Sequence, residues 1–215
     1  MIKNGLFVLM LILLLSTCND NELNASEEKQ LRDQLYAVIH QSGDLTEANK
    51  ADIDEALSQV DQLSLQEEER DWFVQYYLIY SSYEGETDTE QVYEGSQLRM
   101  LYEETWQELA FERYGVTLEE ERVEDIIKED LKPLIEDALS SEEDGELDIH
   151  RYLAEKSGYS LEELYLQFSK HIYERRAIGE DLEPILKEEY GITDIHEVRE
   201  KYRIEVFDEI VKSYS

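Results

Sequence analysis

The chain reads as all-α on three observations. Apolar side chains recur three and four positions apart along every long segment after residue 28. No run alternates apolar and polar residues convincingly at the two-residue period of a half-buried strand. Three junctions also share one form: Tyr114-Gly115-Val116-Thr117, Ser157-Gly158-Tyr159-Ser160 and Tyr190-Gly191-Ile192-Thr193. In each, glycine is free to take the left-handed conformation that ends a helix, an apolar residue follows, and a hydroxyl is placed to cap the next helix. Their spacings, 43 and 33 residues, are unequal, so they are one solution to a sharp helix reversal used three times.

From Glu28 to Ser42, Leu31, Leu35, Val38 and Ile39 fall on one helical face, and Gly43 ends the run. Thr46 offers an N-cap to a second helix with Ile53, Ala56, Leu57, Val60 and Leu63 on its face. After Ser64 a third pattern is rich in aromatics: Trp72, Phe73, Tyr76, Tyr77, Tyr80 and Tyr83. Such a stripe serves either as core or as a sticky surface for extended peptides, and burial statistics favour core. Residues 85–89, GETDT, are polar and turn-like and form the best internal boundary.

A fourth stripe, from Val92 through Leu98, Leu101, Tyr102, Trp106 and Leu109, runs to Gly115. Thr117 and Glu120 have capping-box spacing before a regular stripe from Val123 to Leu139, which Pro133 should kink or restart near Lys132. Residues 140–146, SSEEDGE, read as a loop, and Ile149, Tyr152 and Leu153 as a short helix ending at Gly158. Ser160 with Glu163 makes a second capping box for a long helix that Gly179 and Pro184 are placed to bend. After Gly191, Thr193 starts a last helix through Val198, Tyr202, Val206, Phe207 and Ile210; a strand at 203–207 fits the pattern less well.

The N-terminus, MIKNGLFVLMLILLLSTC, has a basic start at Lys3, an apolar run from Leu6 to Leu15, then small residues. The run is ten residues, against about 20 needed to span a bilayer. A cleaved leader at 1–17 is therefore expected rather than a transmembrane helix. Leu15-Ser16-Thr17-Cys18 resembles the bacterial lipobox, with Thr17 where that motif prefers Gly or Ala. The resemblance implies that Cys18, the only cysteine, carries lipid and anchors an otherwise soluble, extracytoplasmic protein to the bacterial cell membrane. The alternative is an ordinary signal peptide with an incidental cysteine. Residues 18–27 are small, polar and without apolar period, as expected of a flexible tether. Helical segments are then expected at 28–84 and 90–215.

With one cysteine no internal disulfide is available, so stability must come from packing. The chain carries 53 acidic and 20 basic residues, a net charge of −33, and loss of a leader would remove one cation and no acid. Such a surface argues against nucleic acid as partner and against direct adhesion to anionic lipid. Disorder is disfavoured, because 41% hydrophobic residues, with fifteen tyrosines, supply apolar surface for a core.

Residues 109–124, LAFERYGVTLEEERVE, and 152–178, YLAEKSGYSLEELYLQFSKHIYERRAI, resemble the N-terminal chaperone domain of SurA and the equivalent part of PrsA-type foldases. The match rests on Gly115, Val116, Thr117, Glu120, Val123, Gly158, Ser160 and Glu163. It implies a SurA-N-like bundle of amphipathic helices, here with an N-terminal helical extension. It also implies binding of unfolded or extended exported polypeptide in clefts between helices, without nucleotide. The parvulin module of that family is absent from the pattern, so no isomerase activity is expected.

His40, His150, His171 and His196 have no companion at metal-ligand spacing, and Gly145 among the acids of 142–148 is not in EF-hand register. No nucleophile elbow, phosphate-cradling loop or triad signature occurs, so no catalytic residue, metal or cofactor is assigned. The leading expectation is a lipid-anchored, chaperone-like binder of exported polypeptide. Tyr102, Trp106, Tyr159, Tyr165 and Phe168 are the candidate cleft residues, with ordinary core as the competing reading. A structural or regulatory lipoprotein docking a single protein partner is the first alternative, and an unrecognised hydrolase the second.

Overall fold

A computed structural model describes residues 23–41, 48–84, 87–133, 135–136 and 144–214, without the side chains of 82–84 and 144–147. The expected leader, Cys18, Gly43, Thr46, Gly85 and residues 140–143 of the expected loop lie outside the described residues, while 144–146, also expected in that loop, are helical. Among those described, the secondary structure is helical throughout, as the apolar periods predict. The helices are α1 (Ala25–His40), α2 (Lys50–Leu63), α3 (Glu67–Glu84), α4 (Thr89–Tyr114), α5 (Glu120–Ile126), α6 (Asp144–Ser157), α7 (Leu161–Tyr190) and α8 (Ile195–Ser213). A π-helical turn, Ile127–Leu131, follows α5.

Helix α4 is the centre of the fold and packs against α1, α3, α7 and α8. Its buried residues therefore occur on several sides, including the adjacent run Glu94, Gly95 and Ser96 and the pair Tyr102 and Glu103. At Gly95 a Cβ would lie 3.2 Å from the Tyr76 ring, so α3 and α4 approach where a side chain is missing. Tyr76 continues across that contact, donating from Oη to the Val38 carbonyl at 2.6 Å and tying α3 to α1. One core, with Leu35, Ile53, Phe73, Val92, Leu153, Leu164, Leu182, Val198 and Ile210 among its members, runs through α1 to α4 and α6 to α8. The segments 28–84 and 90–215 thus share a single interior. A smaller cluster, Val123, Ile126 and Ala177, fastens α5 to α7.

The glycine junctions form as expected in their backbone, with φ of 71° at Gly115, 81° at Gly158 and 66° at Gly191. At Gly158 the Tyr159 N–H reaches back to the Ala154 carbonyl at 2.9 Å and the Gly158 N–H to the Glu155 carbonyl at 3.3 Å, closing a Schellman turn, while at Gly115 the glycine N–H bonds the Phe111 carbonyl at 2.9 Å in the simpler left-handed cap. Ser160 and Glu163 make the reciprocal capping box. The Thr117 box does not form. Glu119 is the N-cap of α5, with no side-chain cap bond. The reason is packing: Val116 is buried and Leu118 half-buried, so extended backbone turns the intervening Thr117 to solvent.

Other caps move too. Asn49 rather than Thr46 caps α2, in a box with Asp52. Asp194, one residue past Thr193, accepts from the amides of His196 and Glu197 and caps α8. Asn24 and Glu27 box the start of α1, and Leu23 is buried, so the stretch read as tether already belongs to the fold from Leu23 onward.

Prolines act less disruptively than expected. Helical backbone continues through Lys132 and Pro133, and the preceding π-turn widens the helix where the proline ring would meet the carbonyl four residues back. Helix α7 runs unbroken through Gly179 and Pro184, because Leu182 and Leu186 on either side of the proline are fixed in the core.

Candidate functional site: two grooves beside α4

Two open grooves lie beside α4, and they have opposite chemistry. The first, about 530 Å³, lies where α4, α7 and α8 meet. Tyr102, Trp106 and Tyr202 supply its aromatic wall, and Arg175, Arg176, Arg199 and Arg203 its cations. Tyr202 Oη donates to the Trp106 carbonyl at 2.8 Å, and the two rings meet edge to face at 5.4 Å. Arg175 lies over both Tyr102 and Trp106, 5.7 and 5.9 Å from their ring centres.

Every arginine of this groove is matched by a carboxylate. Arg175 donates to Glu103 at 3.0 Å, Arg199 Nε to Glu183 at 2.7 Å, and Arg203 pairs with Glu200 at 2.8 Å. Arg176 pairs with Asp130 and Glu180. The groove is therefore aromatic and close to neutral, within a strongly acidic protein.

The second groove, about 810 Å³, lies between α3, α4 and α7. Its lining includes Glu67, Glu68, Asp71, Glu103, Glu104, Glu108 and Glu174, with Trp72 and Met100 as apolar wall and Lys170 as the one lysine or arginine. Among the described residues, Glu67, Glu68, Glu104 and Glu108 enter no ion pair, whereas Glu174 meets Lys170 at 3.6 Å and Gln107 at 3.1 Å. Burial, and then the nearby charges of Glu68 and Glu108, hold the Glu104 carboxyl above the usual range. Asp71 is also raised by burial, against the opposing pull of Tyr159 and Arg70. His171 packs on Trp72 with ring centres 4.7 Å apart. Burial, then Arg99 and Arg175, push its pKa down to about 3, so it adds no cation to the groove at neutral pH.

Glu103 separates the two grooves. It is 4% exposed and lines the acidic groove, while its Oε1 accepts from Arg99 at 2.7 Å and from Arg175 of the other groove at 3.0 Å. Its Oε2 is buried and accepts no hydrogen bond among the described residues.

The five aromatics named from the sequence do not line one cleft. Tyr102 and Trp106 border the arginine groove but are 3% and 9% exposed and belong to the main core, as the competing reading had it. Tyr159 Oη donates to Asp71 at 2.9 Å and accepts from Arg70 at 2.6 Å, at the edge of the acidic groove. Phe168 is buried in the core, and Tyr165 packs near His150 with ring centres 5.2 Å apart. Sequence reasoning placed Trp72 in an aromatic stripe weighed as core or peptide surface, and missed Glu103, Arg175 and Tyr202 as groove residues. Their common signal is contact across α3, α4, α7 and α8, which no local spacing records.

Among the described residues no group of three or more His, Cys, Asp or Glu is arranged to hold a metal ion, and no helix is long and apolar enough to cross a membrane. The chain matches no family model, no curated protein and no solved structure.

Proposed function

We propose that the protein is a non-enzymatic, chaperone-like binder of extended polypeptide outside the cytoplasm, held at the membrane by lipid on Cys18. The observation that carries this reading is the pair of open grooves beside α4, each setting charged side chains beside a tryptophan in its wall. Aromatic walls bury client side chains at low entropic cost, and charged rims keep the complex soluble and select among segments. The left-handed glycine turns and the Ser160–Glu163 box are in keeping with a SurA-type helical scaffold. No step of covalent chemistry is needed for such a role.

The test is suppression of aggregation. At modest molar excess the protein should reduce light scattering from several unrelated unfolded proteins. Failure with all of them would leave the single-partner reading. Substitution Cys18→Ser should release the protein from membranes or leave it unprocessed, and unchanged retention would remove the lipid anchor from the proposal.

A further inference from the structure

The two grooves differ in what they leave unsatisfied. In the arginine groove every arginine has a carboxylate partner, whereas the acidic groove has four carboxylates without ion pairs and, on its most buried acid, Glu103, one oxygen without a donor beside the one that holds Arg99 and Arg175. A buried acceptor without a donor is costly, and more so when the group is charged. Native proteins rarely leave such an atom unmatched. A ligand bringing N–H donors and positive charge would relieve both the crowded carboxylates and the orphaned Oε2. The raised carboxyls of Glu104 and Asp71 report the same crowding and burial.

The shape narrows the ligand further. Trp72 and Met100 give the groove an apolar wall beside its acids. Lysine and arginine have that amphipathic form, an aliphatic stem ending in a cationic head that keeps polar company. Their heads supply three and five N–H donors respectively.

We propose that the acidic groove between α3, α4 and α7 binds lysine- or arginine-bearing segments of an extended polypeptide. The stem lies against Trp72 and Met100, and the head is drawn toward Glu103 and Glu104. The inference rests on the polypeptide-binding reading and gives it a substrate class: basic segments enter the acidic groove, while the arginine groove receives apolar or aromatic ones. A small free polycation shares the head-group chemistry but lacks a backbone and neighbouring side chains.

The chain has two tryptophans, one in each groove, so each groove has its own optical probe. The variant Trp106→Phe leaves Trp72 as reporter, and Trp72→Phe leaves Trp106. Both full-length proteins would be titrated with an unstructured peptide of alternating lysine and serine, its side-chain-acetylated form, an uncharged tyrosine- and leucine-bearing peptide, and spermidine. The salt concentration is kept near physiological, where the Debye length of about 8 Å suppresses binding through overall charge.

The lysine peptide should change Trp72 emission and leave Trp106 emission alone, and the acetylated peptide should do neither. Affinity should fall at least about tenfold in the Glu104→Gln, Glu108→Gln double variant. It should hold in Glu188→Gln, Glu197→Gln, which removes equal charge from exposed positions outside the groove. Glu103→Gln should give a comparable loss; the exposed double variant keeps the test decisive if Glu103→Gln does not fold. Equal losses in the two double variants would reduce the effect to net charge and overturn the site. Spermidine binding as tightly as the peptide would replace polypeptide with a free polyamine. A silent Trp72 with a responsive Trp106 toward the uncharged peptide would sink the basic-segment inference and keep polypeptide binding. Silence of both reporters toward all peptides would remove both.

Discussion

The two grooves beside α4 are built from the same helices, yet one has settled its charges and the other has not. In the arginine groove each cation meets a carboxylate, either in its walls or just outside them. In the acidic groove the acids gather from three helices with Lys170 as the one lysine or arginine. Both have an aromatic wall, so apolar burial does not separate them. What differs is residual electrostatic demand, and that is the property by which a binding surface selects a partner. Glu103 joins them, its Oε1 holding Arg175 on one side while its carboxylate lines the other.

Breaking that contact should have the largest effect on stability. Glu103→Ala would strip Arg99 and Arg175 of a partner where their side chains are 12% and 28% exposed. Removing one member of a buried pair costs about 3–5 kcal/mol, because the remaining charge is stranded. The expected loss is near the lower end, since Arg175 retains access to water, and it should appear as a lowered urea midpoint. Glu180→Ala removes a carboxylate that is 38% exposed from Arg122 and Arg176, and should cost less than about 1 kcal/mol. Similar losses from both substitutions would show that Glu103 is an ordinary surface partner and would erase the distinction between the grooves.

The next difference lies in acid. His171 is held neutral in the fold, with its pKa pushed down to about 3 from an ordinary value of 6.5. A depressed pKa means that the unfolded chain binds the proton first. The stabilising contribution is therefore complete above about 6.5 and is lost as pH falls toward about 3. Its slope is at most about 1.4 kcal/mol per pH unit. Arg99 on α4 and Arg175 on α7 face the ring and oppose its charging, while Glu103, Glu174 and Lys170 share its groove. Glu104 and Asp71 have raised pKa values and act with the opposite sign, the fold gaining as they take up protons. Comparing wild type with His171→Gln cancels that common background. Between about pH 6.5 and 3 the variant should lose stability less steeply, as measured by urea unfolding across the range. Parallel curves would mean that the imidazole is charged in the fold.

How much of this could be read from the chain depended on whether the information was local. The helices were legible because an apolar stripe repeats within each segment, and the glycine turns because Gly115, Gly158 and Gly191 stand where the stripes stop. Caps were less legible. Thr117 and Thr193 matched the capping pattern, but burial of Val116 and the stronger acceptor at Asp194 decided the outcome. Helix α4 was hardest, since contact on several sides buries Glu94, Ser96 and Glu103 beside apolar residues. The grooves were not legible at all. Glu103 and Arg175 are 72 positions apart, and Tyr202 and Trp106 are 96 apart, so only the packed fold joins them.

The smallest expected effect tests whether the arginine groove depends on shape or on polar contacts. Tyr202 Oη donates to the Trp106 carbonyl at 2.8 Å in a buried setting, and Tyr202→Phe removes that bond alone. The ring stays, still edge-on to Trp106 and to Tyr114 at centroid distances of 5.4 and 5.8 Å. Trp106 lies inside α4, where its carbonyl also faces the helical amide four residues on, so it is not left without a donor. The net cost should then be about 1 kcal/mol, the usual value for one hydrogen bond exchanged against solvent. Emission from Trp106 in the Trp72→Phe background should keep its wavelength, because the apolar walls around the indole are unchanged. A red shift together with a loss above about 3 kcal/mol would show that the hydroxyl, rather than ring packing, holds α8 against α4. In that case the neutral groove would be as dependent on one polar contact as the acidic groove is on Glu103.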